Sequence, residues 1–501
     1  MKKLRRISLM RIDLRTLLFI VLWQCTALGV FAQSEKPDVV LKGVLTEEAG
    51  AYLELPFQVP DNDIVEINFK VQYTGKGQGT ILDFGLSDPM GFKGWSGSNK
   101  SDFTIRETGA TPSYSGGKIV PGTWYFWLGV PESRGYDTYS ISIHFKKRNE
   151  AHQEFAFGDN PLIEEAGWYR GDLHMHSGHS DGTTLSKKGK RIPSPVHKVL
   201  ETARTQGLDF IALTDHNTVS HFAILDELQP YFDDLLIIAG REQTMPFGHA
   251  NILGTRSFMD FREGFPGALT FNEVLEHVKE EHGLVIINHP GIYGGWRPKD
   301  ANMALINAIE VVSGNTIARK EGNIEEALSG IEYWTKFLNQ GIRLTGVGTS
   351  DAHHLIKIKT HDQYIGQVRT YVYTKRLSQA AILEGIRSGN TFVEIEGGSE
   401  RRLLEMMGDL NGKHVFMGGD LTGKKGEQLD LKVNVQGVED AIVELIVDGD
   451  TVSRKKTKGD YLQEDKSVPL TGMRQWVRVN IRNKEGTLVL VGNPIYINWD
   501  N

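Results

Sequence analysis

Residues 168–182, Trp-Tyr-Arg-Gly-Asp-Leu-His-Met-His-Ser-Gly-His-Ser-Asp-Gly, concentrate the side chains best suited to chemistry. They hold His174, His176 and His179 and the carboxylates Asp172 and Asp181. Side chains alternate along a strand, so His174 and His176 point to one face. Two imidazoles on one face beside carboxylates are ligand chemistry for zinc, iron or manganese. A pair of surface histidines at a strand end is the competing reading of this stretch. Similar groups recur downstream: Thr214-Asp215-His216-Asn217, Gly240-Arg241-Glu242, Gly248-His249, Asn288-His289-Pro290 and Ser350-Asp351-Ala352-His353-His354. Each is weak alone, since an Asn-His-Pro is more often a turn than a ligand. Their strength lies in register, because each follows a segment with the pattern of a strand.

Those segments lie in residues 167–395, where strand-like and helix-like runs alternate. Ile211-Ala-Leu-Thr follows a helical pattern over 195–206, and Leu235-Leu-Ile-Ile-Ala follows one over 219–229. Leu284-Val-Ile-Ile-Asn follows 271–281, Ala308-Ile-Glu-Val-Val precedes 324–339, and 377–388 closes the series. Such alternation predicts an α/β fold with a parallel sheet or barrel and crossover helices. In a parallel barrel every strand ends on one rim, where distant residues meet.

The flanks read differently. Residues 39–148 show short alternating strands such as Ile64-Val-Glu-Ile-Asn-Phe-Lys-Val, which predicts an N-terminal β-sandwich. Gly91-Phe-Lys-Gly-Trp-Ser reads as a loop whose Phe92 and Trp95 pack the sandwich or offer a stacking surface for carbohydrate. Residues 149–166 read as a linker. Residues 400–501 return to strands, with Asp448-Gly449 as a hairpin turn, and predict a C-terminal Ig-like β-sandwich.

Residues 1–33 carry Lys2, Lys3, Arg5, Arg6, Arg11 and Arg15 before an apolar run from Leu17 to Val30, then Phe31-Ala-Gln-Ser. This is the pattern of a secretory signal peptide. The run is shorter than the roughly 20 residues of a membrane span, so an uncleaved anchor is the secondary reading and no stable membrane insertion is expected. The single cysteine, Cys25, falls inside it in a context unlike a lipid-attachment box. A disulfide-free exported chain fits a bacterial periplasm or cell envelope, and any metal site must use His, Asp and Glu. Formal net charge is −7 and the leader is basic, so the remainder is more acidic still. That disfavours nucleic acid as a partner. It leaves room for a small anionic substrate, because bound metals supply positive charge.

His-x-His with Ser-Asp-Gly, then Thr-Asp-His, Gly-x-Glu, Gly-His, Asn-His-Pro and Ser-Asp-x-His, in this order, resembles the PHP (polymerase and histidinol phosphatase) superfamily. The leader and flanking β domains resemble its secreted CehA/McbA-like branch. The resemblance implies a distorted (β/α)7 barrel holding two or three divalent ions (Zn, Mn or Fe). It implies His174, His176, Glu242 and Asp351 around one ion. Glu242 would bridge to a second, completed by His249 and His289. Asp181, His216 and His353 would hold a third, with Asp215 orienting an imidazole. His179 is the weaker alternative to Asp181, and Asp172 is a supporting residue. His152, His221, His277, His282, His361 and His414 read as surface or packing histidines.

The chemistry expected of such a cluster is hydrolysis by metal-activated hydroxide, with Glu242, Asp351 and His353 as catalytic residues. The leading expectation is a phosphoesterase acting on a small phosphomonoester or phosphodiester, the ester being sugar- or nucleotide-linked in one version. Alternatives are a carbamate or carboxylic ester hydrolase on the same site and a non-catalytic, metal-stabilised binding module. Arg297, Asn217 and His354 are the substrate-binding candidates. Arg241 and Lys320 are further cations, and Tyr293 and Trp296 could stack on a substrate ring.

Overall fold

The computed structural model describes residues 36–45, 51–98, 100–107, 109–148, 161–260, 262, 268–292, 296–297, 300–355, 363–459 and 461–499. The leader with Cys25, linker residues 149–160 with His152, Tyr293 and His361 lie outside the described residues.

Alternating burial along Ile64–Tyr73 and Gly122–Glu132 places one face of each strand in a shared core. A five-stranded and a four-stranded antiparallel sheet pack through Phe57, Phe69, Phe84, Phe103, Trp124 and Phe126. Gly91–Ser96 forms the outer strand of the four-stranded sheet, where the sequence reads as a loop. Trp95 lies over Gly85 and Gly129, whose missing side chains leave room for its ring, and Phe92 is exposed. This unit meets the central one at Asp226, which takes a bidentate pair from Arg256 (2.8 and 2.9 Å) and lies 3.6 Å from Arg106.

The central unit carries β1 (Gly167–Asp172), β2 (Phe210–Leu213), β3 (Leu236–Met245), β4 (Gly248–Leu253), β5 (Leu284–Ile287), β6 (Ala308–Ser313), β7 (Thr345–Thr349), β8 (Val368–Thr374) and β9 (Thr391–Ile395). They form a mixed sheet in the order β7-β6-β5-β4-β3-β2-β1-β8-β9. The pairs β1–β2, β2–β3, β5–β6 and β6–β7 are parallel, as the alternation predicts. The pairs β3–β4, β4–β5, β1–β8 and β8–β9 are antiparallel. The departure begins at Pro246-Phe247, where a tight turn replaces a crossover helix and sends β4 back along β3. The sheet also curls: Gly348 of β7 donates its N–H to Thr370 Oγ1 of β8 at 2.9 Å, and that hydroxyl donates to Gly348 O.

Helices α1 (Val196–Thr205) and α3 (Phe271–Glu280) cover the sheet with apolar residues at i, i+3, i+4 and i+7. In α3 these are Phe271, Val274, Leu275 and Val278, each contributing about 2 kcal/mol on burial. A Thr270–Glu273 capping box fixes its start. Helices α2 (Phe222–Leu228), α4 (Gly314–Arg319), α5 (Ser329–Asn339) and α6 (Gln379–Arg387) complete the unit. The helical pattern over 324–339 is split into a 3-10 turn at Glu325–Ala327 and α5.

Strand β9 pairs with Leu488–Gly492, so the central sheet continues without a break into the C-terminal strands. A separate four-stranded sheet containing Leu403–Leu410 and Gln428–Gln436 packs on that continuation. Asp448 and Gly449, both at positive φ, make the two-residue turn between Ile442–Val447 and Asp450–Lys456. Among the described residues no helix is long and apolar enough to cross a membrane.

Candidate metal centre

The functional residues stand where β1, β2, β3, β5 and β7 end and where the reversed strand β4 begins. Antiparallel β4 delivers His249 from its first turn to the rim that the other strands reach with their last residues. Beyond their ends, β1 and β7 close on each other. Asp351 N–H donates to His174 O (2.9 Å) and His176 N–H to Ala352 O (3.0 Å). Asn217, His289 and Asp351 all have positive φ, at 50°, 24° and 52°. Such backbone is costly for residues other than glycine and concentrates at functional sites.

Three donor atoms, from His174, His176 and Asp351, converge on one buried point, and Glu242 stands beside them. His176 Nε2 lies 3.2 Å from both His174 Nε2 and Asp351 Oδ1. His174 Nε2 lies 3.3 Å from Asp351 Oδ1 and 3.3 Å from Glu242 Oε2. Glu242 Oε2 is 3.6 Å from His176 Nε2. Ligands at about 2.0–2.1 Å from a tetrahedral zinc ion stand about 3.3 Å apart, which is the mutual spacing of His174 Nε2, His176 Nε2 and Asp351 Oδ1. Glu242 Oε2 is also 2.8 Å from His216 Nδ1, yet none of these imidazoles is aligned to hydrogen-bond it. A buried carboxylate oxygen ringed by nitrogens and left without a hydrogen bond is oriented toward a cation.

Around this cage stand two further groups. Glu242 Oε1 faces His249 Nδ1 at 3.0 Å and His289 Nε2 at 3.3 Å, and His289 Nε2 lies 3.8 Å from Asp351 Oδ2. On the other side Asp181 faces His216 Nε2 at 3.7 Å, His353 Nε2 at 3.5 Å and His176 Nδ1 at 4.0 Å. The ring of His176 stacks against those of His216 and His353, at 4.3 and 4.1 Å between centroids, and those two stand 5.7 Å from each other. His176 thus belongs to the Asp181 group as well as to the central cage, and His174 also stands with Glu242 and His289. The donor set is imidazole and carboxylate throughout, which suits divalent metal ions.

Electrostatics follow from this crowding. Burial opposes the charge of Glu242 and Asp351, but His174 and the other imidazoles hold both carboxyls below the usual range. Burial likewise opposes a charged His174, while Asp351, Glu242 and Glu310 push its pKa well above the ordinary value. His176 is pushed down to about 4 by burial and by His353.

Supporting side chains lock the ligands. Glu310, inside β6, lies 2.7 Å from His174 Nδ1 and also accepts from Thr349 Oγ1 (2.8 Å) and from the His289 N–H (2.7 Å). Asn288 donates to Glu242 Oε1 at 2.9 Å, and Asn315 to Asp351 Oδ2 at 2.5 Å. Asp172 accepts backbone N–H groups of His174, Ser350 and Gly366, tying the end of β1 to the end of β7 and the lead into β8. Burial raises its pKa to about 6 against those bonds. Asp215 contacts no ligating imidazole. It accepts from the backbone N–H and hydroxyl of Ser177 and Ser180, fixing the turn before Asp181, and faces His221 Nδ1 at 3.4 Å.

Other residues stand elsewhere. His179 turns to Ser220 Oγ at 2.8 Å. His221 is fully buried beside Asp215, not on the surface. Arg241 is buried and directed to Thr255 and Ser257, because its neighbour Glu242 occupies the site face of β3. Arg297 is exposed, its backbone N–H held by Phe247 O, and it does not line the cavity. His354 bonds Thr183 and Arg191 outside the cavity. Asn217 does line it, but its amide bridges the backbone of Thr244. Glu310 and Asn315 escaped the sequence reading, and His221, read as a surface or packing histidine, packs beside Asp215. Glu310 left one signal, a lone acid inside the apolar run Ala308-Ile-Glu-Val-Val.

Fold and site together define a mixed α/β protein with a buried His/Asp/Glu centre suited to divalent ions. No family model matches the chain. Over 125 residues it is 29% identical to an uncharacterized protein of Methanocaldococcus jannaschii, MJ1587, covering 24% of this chain and 67% of that one. Among solved structures it is similar to a two-domain protein of Bacteroides vulgatus described as containing a predicted PHP-like metal-dependent phosphoesterase. That match has 18% identity, covers 68% of this chain and 98% of the other, and has a TM-score of 0.36.

Proposed function

We propose that this chain is an exported metal-dependent phosphoesterase, its curled sheet a distorted (β/α)7 barrel of the PHP type. The observation that carries the proposal is the triad of His174, His176 and Asp351, with spacings of 3.2–3.3 Å, and Glu242 Oε2 beside it at 3.3 and 3.6 Å from the two imidazoles. Divalent ions held there supply Lewis acidity and an acidified water near neutral pH. Glu242 joins the central cage to the His249–His289 group through its two oxygens. Asp181, His216 and His353 face the cavity and stand ready to hold a further ion. Displacement at phosphorus relies on positioning and charge stabilisation, which such a rigid, buried donor set provides.

The test is elemental analysis of the purified protein with assays on p-nitrophenyl phosphate, bis-p-nitrophenyl phosphate and aryl carboxylic and carbamate esters. Two or three equivalents of zinc, manganese or iron are expected, with phosphoester hydrolysis that chelation abolishes and metal restores. His174→Ala should lose both metal and activity. Undiminished activity in a metal-stripped His174→Ala protein would end the reading. One observation favours the carboxylic or carbamate ester alternative: among the described residues, neither Lys nor Arg lines the cavity.

A further inference from the structure

The cavity over the centre has a volume of about 580 Å³ and two unlike sides. One side is the donor set. The other is Met245 and Pro246 from the β3–β4 turn, Pro290 and Ile292 from the segment after β5, and Trp296. This wall is braced. Arg297 N–H bonds Phe247 O at 2.8 Å, linking the two segments. Gly248, at φ +144°, leaves its side-chain position to the Trp296 ring, and Phe271 meets that ring edge-on at 5.7 Å. The lining amides are already engaged: Asn217 with Thr244, Asn288 with Glu242, and Asn315 with Asp351. The part of a substrate beyond the reacting centre therefore meets apolar surface, and its affinity comes from burial.

Resting on the phosphoesterase reading, we propose that the site takes a phosphodiester monoanion bearing an apolar, aryl-sized group, which lies on Met245, Pro246, Pro290, Ile292 and Trp296 while phosphorus faces the donor set. Water adds its oxygen to phosphorus and the P–O bond to one ester group breaks. The departing alkoxide takes up a proton, giving one alcohol and one phosphomonoester. Beyond the ions that Asp181, Glu242 and Asp351 would hold, the described lining has neither Lys nor Arg to pair the second negative charge of a monoester, which sets diesters above monoesters as substrates.

The test uses the metal-loaded full chain with a series of alkyl p-nitrophenyl phosphates from methyl to hexyl, bis-p-nitrophenyl phosphate and p-nitrophenyl phosphate. Binding of diphenyl and dimethyl phosphate is measured alongside by calorimetry. We expect kcat/KM to rise up to roughly fourfold per buried methylene, diesters to exceed the monoester at least tenfold, and diphenyl phosphate to bind tighter than dimethyl phosphate. Ile292 is only partly buried, so Ile292→Asn should fold, keep its metal and flatten the series. Ile292→Lys should shift the preference toward p-nitrophenyl phosphate. A flat series in the unmodified protein, or equal binding of the two phosphates, overturns the apolar subsite while leaving the phosphoesterase reading standing. A preference for the monoester overturns the diester assignment. Hydrolysis of aryl carboxylic or carbamate esters with no phosphate ester turned over, by a fully metallated protein, removes both.

Discussion

Glu310→Gln is the most revealing single substitution. It keeps the shape of a side chain that is 1% exposed and removes only its charge and one acceptor. Glu310 Oε1 faces His174 Nδ1 at 2.7 Å, which keeps a proton on Nδ1 and leaves Nε2 as the ring atom that would bind an ion. A glutamine has no comfortable orientation here. With its carbonyl on the His289 N–H, its NH2 confronts His174 and favours the tautomer protonated at Nε2, the wrong one for a ligand. With the amide turned over, the NH2 confronts the His289 N–H, now held at 2.7 Å from Glu310 Oε2. Outer-shell changes of this type weaken metal binding about 10- to 100-fold, or roughly 1.4–2.7 kcal/mol. That range matches the ~1.5–3 kcal/mol of a hydrogen bond to a charged group. We expect Glu310→Gln to raise the metal dissociation constant by that factor in a chelator competition, and to lower activity at limiting metal more than at saturation. The reasoning fails if the variant binds metal within about threefold of the unmodified protein while losing thermal stability, because Glu310 would then be a packing residue alone.

The two acid-and-imidazole positions of the motif turn should separate. Asp181→Ala is expected to lose one metal equivalent, whereas His179→Ala keeps the full complement, since His179 faces Ser220 Oγ at 2.8 Å; elemental analysis decides between them, and equal losses would place His179 in the site. Asp226→Asn removes the carboxylate shared by Arg256 and Arg106 at the seam with the N-terminal sandwich. For a partly buried pair this costs about 1–3 kcal/mol, read as a lower midpoint in denaturant with metal content unchanged; an unaltered midpoint would make the seam electrostatically neutral.

What could be read from the sequence, and what could not, divides along physical lines. Period-two and helical patterns depend on which face of each element is buried, so β1, β2, β5, β6, α1 and α3 show directly in residue order. Strand-end register gathers the candidate motifs, the set of nine ligands is what the family resemblance implies, and the structure brings all nine side chains around one cavity and its buried floor. Strand direction is another matter. Nothing in Met245-Pro-Phe-Gly-His249 distinguishes a hairpin from a short crossover until its length is weighed, and the reversal of β4 follows from that turn. Partners across space were also invisible. The pairing of Glu310 with His174 joins residues 136 apart in sequence, and the candidate cations Arg241 and Arg297 depended on side-chain direction, which alternation along β3 turns away from the site at Arg241.

The C-terminal strands are the clearest case of structure joining what composition separates. The change of pattern near residue 400 suggests an appended module, yet the sheet crosses it unbroken through Phe392↔Gly492, Val393↔Val491 and Glu394↔Leu490. The link reaches the site. Asn493, 1% exposed, accepts the Gly346 N–H at 2.8 Å and donates to Gly346 O and Thr391 O, so it clamps β7 to β9 where ladder bonds are missing. Strand β7 carries Asp351 three residues beyond the last ladder pair it makes with β6 before Thr349. Trp476 Nε1 bonds Asn339 Oδ1, and Asn339 donates to Asp448 O, holding the end of α5 in the same way. Without the C-terminal strands, β9 would be a bare edge, and Gly346 would lose the acceptor of its N–H and one of the two side-chain donors to its carbonyl, keeping Thr391 Oγ1. The fixed position of Asp351 in a cage spaced at 3.2–3.3 Å therefore depends on residues more than 100 positions downstream, and the C-terminal sandwich is a structural member of the centre.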